Sequence, residues 1–525
     1  MEERSNKGCL IAAVVWLSIA AVLAAAAKYL LLPSQRDHLE KNTGSDSQYS
    51  AEIRVGIDSF SGYCILRSKE IQDELRASSI KITTVDDNAD IAARMKALAD
   101  GRLQMAVFTI DSLIASGAEL GQFPATIVMV IDETKGADAI IAYKSVASIE
   151  DLNSPDARIA LTPKSPSEFL ARTVIAHFNL PNMPDQWMIE TDGAKAAYAL
   201  FKKTPKNQKR AFALWEPYVS MALEDPDAHL LIDSSRLKGY IVDVLVAERK
   251  FLDAHPDRVR AVIEAYFRAA YAHARSAGGM AALVADDSKR VGLEPLNDVQ
   301  ASALATRIEW KNTLDNYAYF NIASAPGAVK GLLLEDVITN VIDVLMKTGA
   351  MKTNPLDGRI ATIFYNRALK ELQASGFHPG KTLNVVSDLG PGIADTETLH
   401  ASVELKALTD SEWELLKPVG VLRVKPIVFA RGGSRINVQS QRDMDELAKN
   451  LAAWPSYYLM IIGTARSDGD AEANLKLATE RAVEAKNYLI SLGVDEMRMR
   501  TRTSISETSD GSAQSVTFRV LQLPY

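Results

Sequence analysis

The stretch Gly463-Thr-Ala-Arg466-Ser-Asp-Gly469, followed by Asn474-Leu-Lys-Leu-Ala-Thr-Glu-Arg481-Ala482, decides how residues 416–525 fold. It follows the apolar run Tyr458-Leu-Met-Ile-Ile462, whose length and composition predict a strand. After it, Leu475, Ala478, Ala482, Ala485, Leu489 and Leu492 recur at three- and four-residue intervals, the buried stripe of a helix. Working upstream, Met444, Leu447, Leu451 and Trp454 share one face of a helix over 443–454, and Val419 to Phe429 is strand-like. Downstream, Met497 to Thr503 and Ser515 to Leu521 supply further strands. The order is β-α-β-α-β-β, an α+β unit beginning near Leu416.

The same stretch resembles the wall-binding motif of OmpA-like domains. That motif runs Gly-His-Thr/Ala-Asp, two residues, Gly, four residues, Asn, six residues, Arg-Ala. Gly463, Gly469, Asn474 and Arg481-Ala482 stand at those intervals, while Arg466 occupies the place of the family's aspartate. The resemblance implies a peptidoglycan site in which the aspartate and the later arginine hold the zwitterionic diaminopimelate of the stem peptide. Its residues here are Arg466, Asp468, Asn474 and Arg481. With a cation at 466 the expectation is a degenerate site, because Arg466 repels both Arg481 and the ligand's ammonium. Asp468, two residues on, is the nearest carboxylate able to substitute. Weak wall binding, binding of another anionic envelope component, and a docking role alone all stay open.

At 525 residues the chain has room for several domains, and 47% hydrophobic with 24% charged residues fits globular folding rather than disorder. A net charge of -7 argues against a general nucleic-acid surface. From Gly8 to Pro33 the chain is almost continuously apolar, long enough to cross a bilayer as a helix, with Lys28 near the end where its ammonium can snorkel outward. A cleaved signal peptide is the rival reading, since Ala24 to Ala27 offers small residues for a peptidase. The continuation through Leu30-Leu-Leu32 favours an uncleaved, single-pass anchor in a bacterial inner membrane, with the bulk of the chain periplasmic. Cys9 and Cys64 are too far apart in context for an expected disulfide or zinc site.

After a polar spacer (34–50), strand and helix signals alternate: Ile53 to Ile57, Lys81 to Val85 and Met105 to Thr109 as strands, with Ile91 to Leu98 helical between them. A second set follows, with strands at 137–142, 158–161 and 211–215 and a helix from Ser165 to about Phe178. Alternation of this kind predicts mostly parallel α/β sheets with ligands at strand ends. Helical signals continue at Val259 to Ala274, Leu334 to Met346 and Ile360 to Gln373, and 377–415 reads as a linker.

Phe108-Thr-Ile-Asp111, Ser148-Ile-Glu-Asp-Leu152, Trp215-Glu-Pro-Tyr218 and Gly239-Tyr-Ile-Val-Asp-Val-Leu245 carry a second resemblance. From about Glu52 to Ala274 the chain is similar to the solute-binding proteins of nitrate, sulfonate and taurine ABC transporters, a two-lobed type 2 periplasmic-binding fold, extended here to residues 51–376. The resemblance implies a ligand between the lobes. Its candidate contacts are Ser59, Phe60, Ser61, Tyr63, Thr109 and Asp111 in lobe one, and Ser165, Ser167, Trp215 and Glu216 in lobe two. For Tyr63 and Phe60 core packing is the competing role, for Trp215 hinge packing, and for Asp111 (or Ser112) capping of a helix.

Ser165-Pro-Ser-Glu168 fits a capping box with proline at the first helical position. A helix start that is already capped, with a glutamate beside it, is a poor anion site. The expected ligand is therefore not a simple oxyanion; a zwitterion, a neutral metabolite or no small ligand fits better. The related thiamine-pyrimidine synthases carry a cysteine-rich iron motif that Cys64 alone cannot supply, and the seven histidines show no metal-like spacing. The chain reads as non-catalytic and without a cofactor: an envelope-tethered sensor or scaffold coupling membrane to wall. A receptor feeding an ABC-type permease and a purely structural wall anchor are the alternatives.

Overall fold

A computed structural model describes residues 49–216, 218–292, 295–322, 333–381, 405–425, 427–429, 432–467, 469–505 and 515–523. The expected membrane anchor (8–33), nearly all of the spacer, residues 382–404 of the expected linker and Asp468 lie outside the described residues. Among the described residues no helix is long and apolar enough to cross a membrane.

The first lobe alternates β1 (Ala51–Ile57), α1 (Lys69–Ala77), β2 (Ile80–Asp86), α2 (Ile91–Ala99), β3 (Met105–Thr109), α3 (Ile110–Leu120) and β4 (Ala125–Thr134). Every residue of β3 and β4 is buried, as expected of strands covered on both faces. The chain then crosses to a second body made of β5 (Asp138–Tyr143), β6 (Arg158–Leu161), α4 (Pro166–His177), β7 (Met188–Glu190), α5 (Gly193–Lys203), β8 (Arg210–Trp215) and β9 (Ala228–Asp233). It returns through β10 (Val242–Glu248), which inserts antiparallel between β4 and β3. The strand orders are β11-β4-β10-β3-β1-β2 and β7-β6-β8-β5-β9. Two crossings, at 135–137 and 234–241, thus join two sheets, the two-lobed architecture that the resemblance implies.

After α6 (Pro256–Arg275), α7 (Gly279–Arg290) and α8 (Asp298–Thr306), β11 (Ile308–Trp310) adds an edge to the first sheet. Helix α9 (Leu334–Lys347) packs against both α3 and α4, one from each lobe. The single helix expected over 360–373 is instead a 3-10 turn, Ile360–Ile363, and α10 (Arg367–Ala374). The break has a local cause: Phe364 turns extended to bridge Ile127 beside β4, and the Tyr365 amide donates to the Ile127 carbonyl at 2.8 Å.

The C-terminal part folds as β12 (Lys417–Val421), β13 (Ile427–Val428), α11 (Val438–Ala452), β14 (Tyr458–Ala465), α12 (Ala471–Ser491), β15 (Met499–Ile505) and β16 (Ser515–Gln522). Its sheet runs β12-β16-β14-β15, with β13 also on β16. Helix α12 lies so close to β14 that a Cβ at Gly463 would collide with the Ala478 carbonyl, which accounts for glycine there. The one strand expected at 419–429 is broken in two, and at the end of its first half Leu422, whose amide still donates to the Phe518 carbonyl of β16 at 2.9 Å, also bridges Phe178 at the end of α4. The flanking amides follow, Asn179 donating to the Val421 carbonyl at 2.9 Å and Arg423 to the His177 carbonyl at 2.6 Å.

That bridge is part of a docked interface. Trp454, 1% exposed, stacks on Phe178 at 5.6 Å and meets the His177 ring edge-on at 4.9 Å. Its indole N–H donates to the Tyr240 hydroxyl at 3.1 Å, and that hydroxyl lies 3.0 Å from His177 Nε2. The Lys238 amide donates to the Ala453 carbonyl at 2.8 Å. Tyr240 and Lys238 belong to the second crossing between the lobes, so the C-terminal part rests on the hinge as well as on lobe two.

Candidate functional site

Four aspartates meet where the lobes join. Asp132 lies near the end of β4, Asp243 near the start of β10, Asp138 at the start of β5 and Asp111 in the first turn of α3. The register sets Asp243 opposite Asp132 on one side and opposite Thr109 on the other. Asp138 pairs across the second sheet with Trp215. Their exposures are 0% (Asp132), 1% (Asp243), 3% (Asp138) and 5% (Asp111). The Tyr63 hydroxyl donates to Asp243 Oδ1, while both oxygens of Asp132 and Oδ1 of Asp111 have no hydrogen-bond partner. The bare backbone of Gly62 passes over Asp132, so that a Cβ there would come within 2.5 Å of Oδ2.

Removing carboxylates from water without a counter-charge favours their neutral forms. Burial, and then repulsion from Asp243, pushes Asp138 up to about 8. Burial, opposed in part by a hydrogen bond from Thr109 and reinforced by the charge of Asp243, raises Asp111 to about 7. Burial raises both Asp132 and Asp243, and the charge of Asp243 raises Asp132 further. Burial and the charge of Asp243 also raise the Tyr63 phenol well above its ordinary value.

The expected contacts fall into three groups. Tyr63, Thr109 and Asp111 reach the cluster, and the single hydroxyl proton of Thr109 serves either Asp111 or Ser112 Oγ, which lies 2.9 Å away. Thr109 occupies the cap position of α3 without a side-chain cap bond, and the Asp111 carboxyl, in the first turn, takes a backbone hydrogen bond from its own amide. Ser61 is buried, Ser59 and Phe60 half-buried, and Phe60 packs edge-on against Tyr63 at 5.3 Å.

In lobe two, Ser165 caps α4 as expected, accepting from the Glu168 amide at 3.4 Å. Glu168 turns back one residue further than a capping box requires, accepting from the Lys164 amide at 2.5 Å, and also binds Arg172 at 2.6 Å. Ser167 is 0% exposed and its hydroxyl has no hydrogen-bond partner. Trp215 is half-buried beside Asp138, and Glu216 is engaged by Arg307 and Ser220. Asp132, Asp138 and Asp243 were not among the expected residues, yet an aspartate inside a buried run such as Val242-Asp-Val-Leu-Val246 is itself a signal.

In the C-terminal motif, Asn474 Nδ2 donates to the Arg466 carbonyl at 3.4 Å, fixing the βα loop. Arg481 is 2% exposed; its Nε donates to the Gly433 carbonyl at 2.8 Å and its guanidinium lies 5.0 Å from the Phe429 ring centre. These contacts turn it toward the segment that follows β13. Asp468 lies outside the described residues.

Residues 428–517 match the OmpA family. The peptidoglycan-associated lipoprotein of Rhizobium meliloti (strain 1021) is 39% identical over 75 residues, 14% of this chain and 43% of that protein. Its counterpart in Brucella suis biovar 1 is 36% identical over 75 residues, 14% of this chain and 45% of that protein. The chain thus spans less than half the length of these relatives. Among solved structures, it is similar to the alkanesulfonate-binding protein of Xanthomonas axonopodis pv. citri, with TM-score 0.45 and 18% identity over 60% of this chain and 99% of that one. It is likewise similar to the periplasmic nitrate-binding protein of Synechocystis PCC 6803, with TM-score 0.41 and 12% identity over 62% of this chain and 88% of that one. At its C-terminal end, over residues 428–517, this chain carries an OmpA-family domain.

Proposed function

We propose that this is a non-catalytic, envelope-tethered binding protein. In this reading the apolar run 8–33 holds it in the inner membrane, the two-lobed body takes a small ligand, and the OmpA-family domain contacts peptidoglycan. The observation that carries the reading is the docking of that domain on the hinge through Trp454, Tyr240 and Lys238. A domain seated on the hinge feels lobe movement, so ligand and wall are linked through one body. The membrane tether raises the local concentration of the wall-binding face near its target.

Arg466 and the buried Arg481 make the wall contact weaker than an aspartate-containing site would give. Co-sedimentation of the full chain with purified sacculi tests this. Wild type is expected to be retained partially, and Arg466→Asp, which supplies the carboxylate for the ligand's ammonium, to be retained about tenfold more strongly. Retention of neither protein, with both folded by circular dichroism, would reject the wall-binding part.

A further inference from the structure

We propose that the interlobe site takes an organic cation bearing N–H donors, an ammonium or guanidinium group, held by Asp111, Asp132, Asp138 and Asp243 when the lobes close on it. This deepens the small-ligand reading above and rests on it. The first argument is how the chain treats its other buried charges. Arg67 meets Asp287 at 2.6 Å, Arg94 meets Asp58 at 2.9 Å and Asp87 at 2.6 Å, and Lys311 meets Glu133 at 3.0 Å. Glu133 is the chain neighbour of Asp132 on β4, is equally buried, and is answered by both Lys311 and Lys135. Asp132 points the other way along the strand and is answered by no cation at contact. Buried charges are ordinarily answered by an opposite charge or by hydrogen bonds, as Arg498 is by three backbone carbonyls, whereas the Asp132 oxygens have neither.

The second argument comes from the opposite lobe. Ser167 Oγ, in the first turn of α4, is wholly buried and without a hydrogen-bond partner, and the neighbouring Glu168 carries a charge that acts on Asp111. A buried hydroxyl left without a partner asks for one, and an N–H group satisfies it. A third argument separates the cation classes. Among the described residues no three carboxylate, histidine or cysteine groups converge as a metal ion requires. A guanidinium with five donors, or an ammonium with three, reaches acceptors spread over several strands. An anion is disfavoured because Arg94 and Lys311 are already committed and Glu168 adds to the negative wall.

Calorimetry and thermal unfolding of the full chain test the proposal with methylguanidinium, 1,4-diaminobutane, magnesium, methanesulfonate and glycerol, each against equal sodium chloride. One of the two organic cations is expected to bind and raise the unfolding temperature, and the other three to do neither. Asp132→Asn and Asp243→Asn are each expected to weaken that binding by roughly a hundredfold, because a buried ion pair loses a partner. Both variants keep the shape and remove a charge that burial disfavours, so unchanged or higher unfolding temperature without ligand separates lost binding from lost folding. Ser167→Ala is the second check, expected to weaken binding by about tenfold. Binding of methanesulfonate, glycerol or magnesium in place of the organic cations overturns the cation class while leaving a ligand site. Binding of no probe overturns both, as does cation binding unaltered in Asp132→Asn.

Discussion

At the scale of single residues the aspartate cluster sets the pH response. Asp138 ionises near pH 8 in the folded chain against 3.8 ordinarily, because burial and Asp243 oppose its charge. Its folded value is raised, so the folded state keeps a proton that the unfolded chain has released. The stability this gives is complete below about pH 4 and is lost as pH rises toward 8. His177 has the opposite sign: burial lowers it from 6.5 to about 3, so its contribution is present above 6.5 and lost as pH falls below it. Between about pH 6.5 and pH 8.5 the folded His177 is already neutral and the unfolded one loses only its remaining half proton, so the raised carboxyls dominate the change. Over that window the unliganded chain is expected to lose stability in urea titrations, and Asp138→Asn to remove about 2 kcal/mol of the loss. An equal slope in wild type and variant would mean that Asp138 is ionised and solvated after all. Glu133 shows what the cluster lacks, for beside Lys311 and Lys135 its carboxyl sits well below the ordinary range despite full burial.

At the scale of elements, Trp454 is the joint. It closes α11, and its ring is enclosed by His177 and Phe178 from α4 and by Tyr240 from the second crossing. Truncating a fully buried tryptophan removes both contacts and a hydrogen bond, a loss of about 3 to 5 kcal/mol. Trp454→Ala is expected to lower stability by that amount and to speed amide exchange at Asn179 and Arg423, whose amides donate across the interface. Unchanged exchange at those two amides would show that the backbone bonds alone hold the domains together. The periodicity of α11 and α12 was plain in the sequence, since stripes at helical spacing report burial whatever they are buried against. The break between β12 and β13 was not, nor was the bridge from Leu422 to Phe178, more than two hundred residues away in the chain. Strand positions in both lobes were readable for the same local reason. Tyr63, Thr109 and Asp111 were named by the resemblance, which places contacts in loops at strand ends, whereas Asp132 and Asp243 were hidden in apolar runs whose partners only the sheet register brings together.

At the scale of the molecule, the question is whether the aspartate cluster and the OmpA-family domain act as one body. Three physical links tie the two lobes to each other and to the C-terminal domain. Tyr240 and Lys238 lie on the crossing that continues into β10 and Asp243, so the cluster and the Trp454 joint share one strand. Helix α9 packs on α3 and α4, and its last residue, Lys347, reaches Glu446 of α11 at 2.6 Å. At the rim, Lys164 of lobe two meets Glu119 of lobe one at 2.9 Å. A ligand that draws Asp132 and Asp138 together changes the path of both crossings, and a domain seated on one of them must follow or detach. Methylguanidinium or 1,4-diaminobutane, whichever binds, is therefore expected to change amide exchange at Lys238 and at Trp454 as well as around Asp243. Asp243→Asn should abolish the change at all three places, while Trp454→Ala should leave it around Asp243 and erase it beyond Lys238. That pattern requires transmission through the hinge, because Trp454 touches no cluster residue. Exchange altered around Asp243 alone would show that the two-lobed body and the C-terminal domain respond independently.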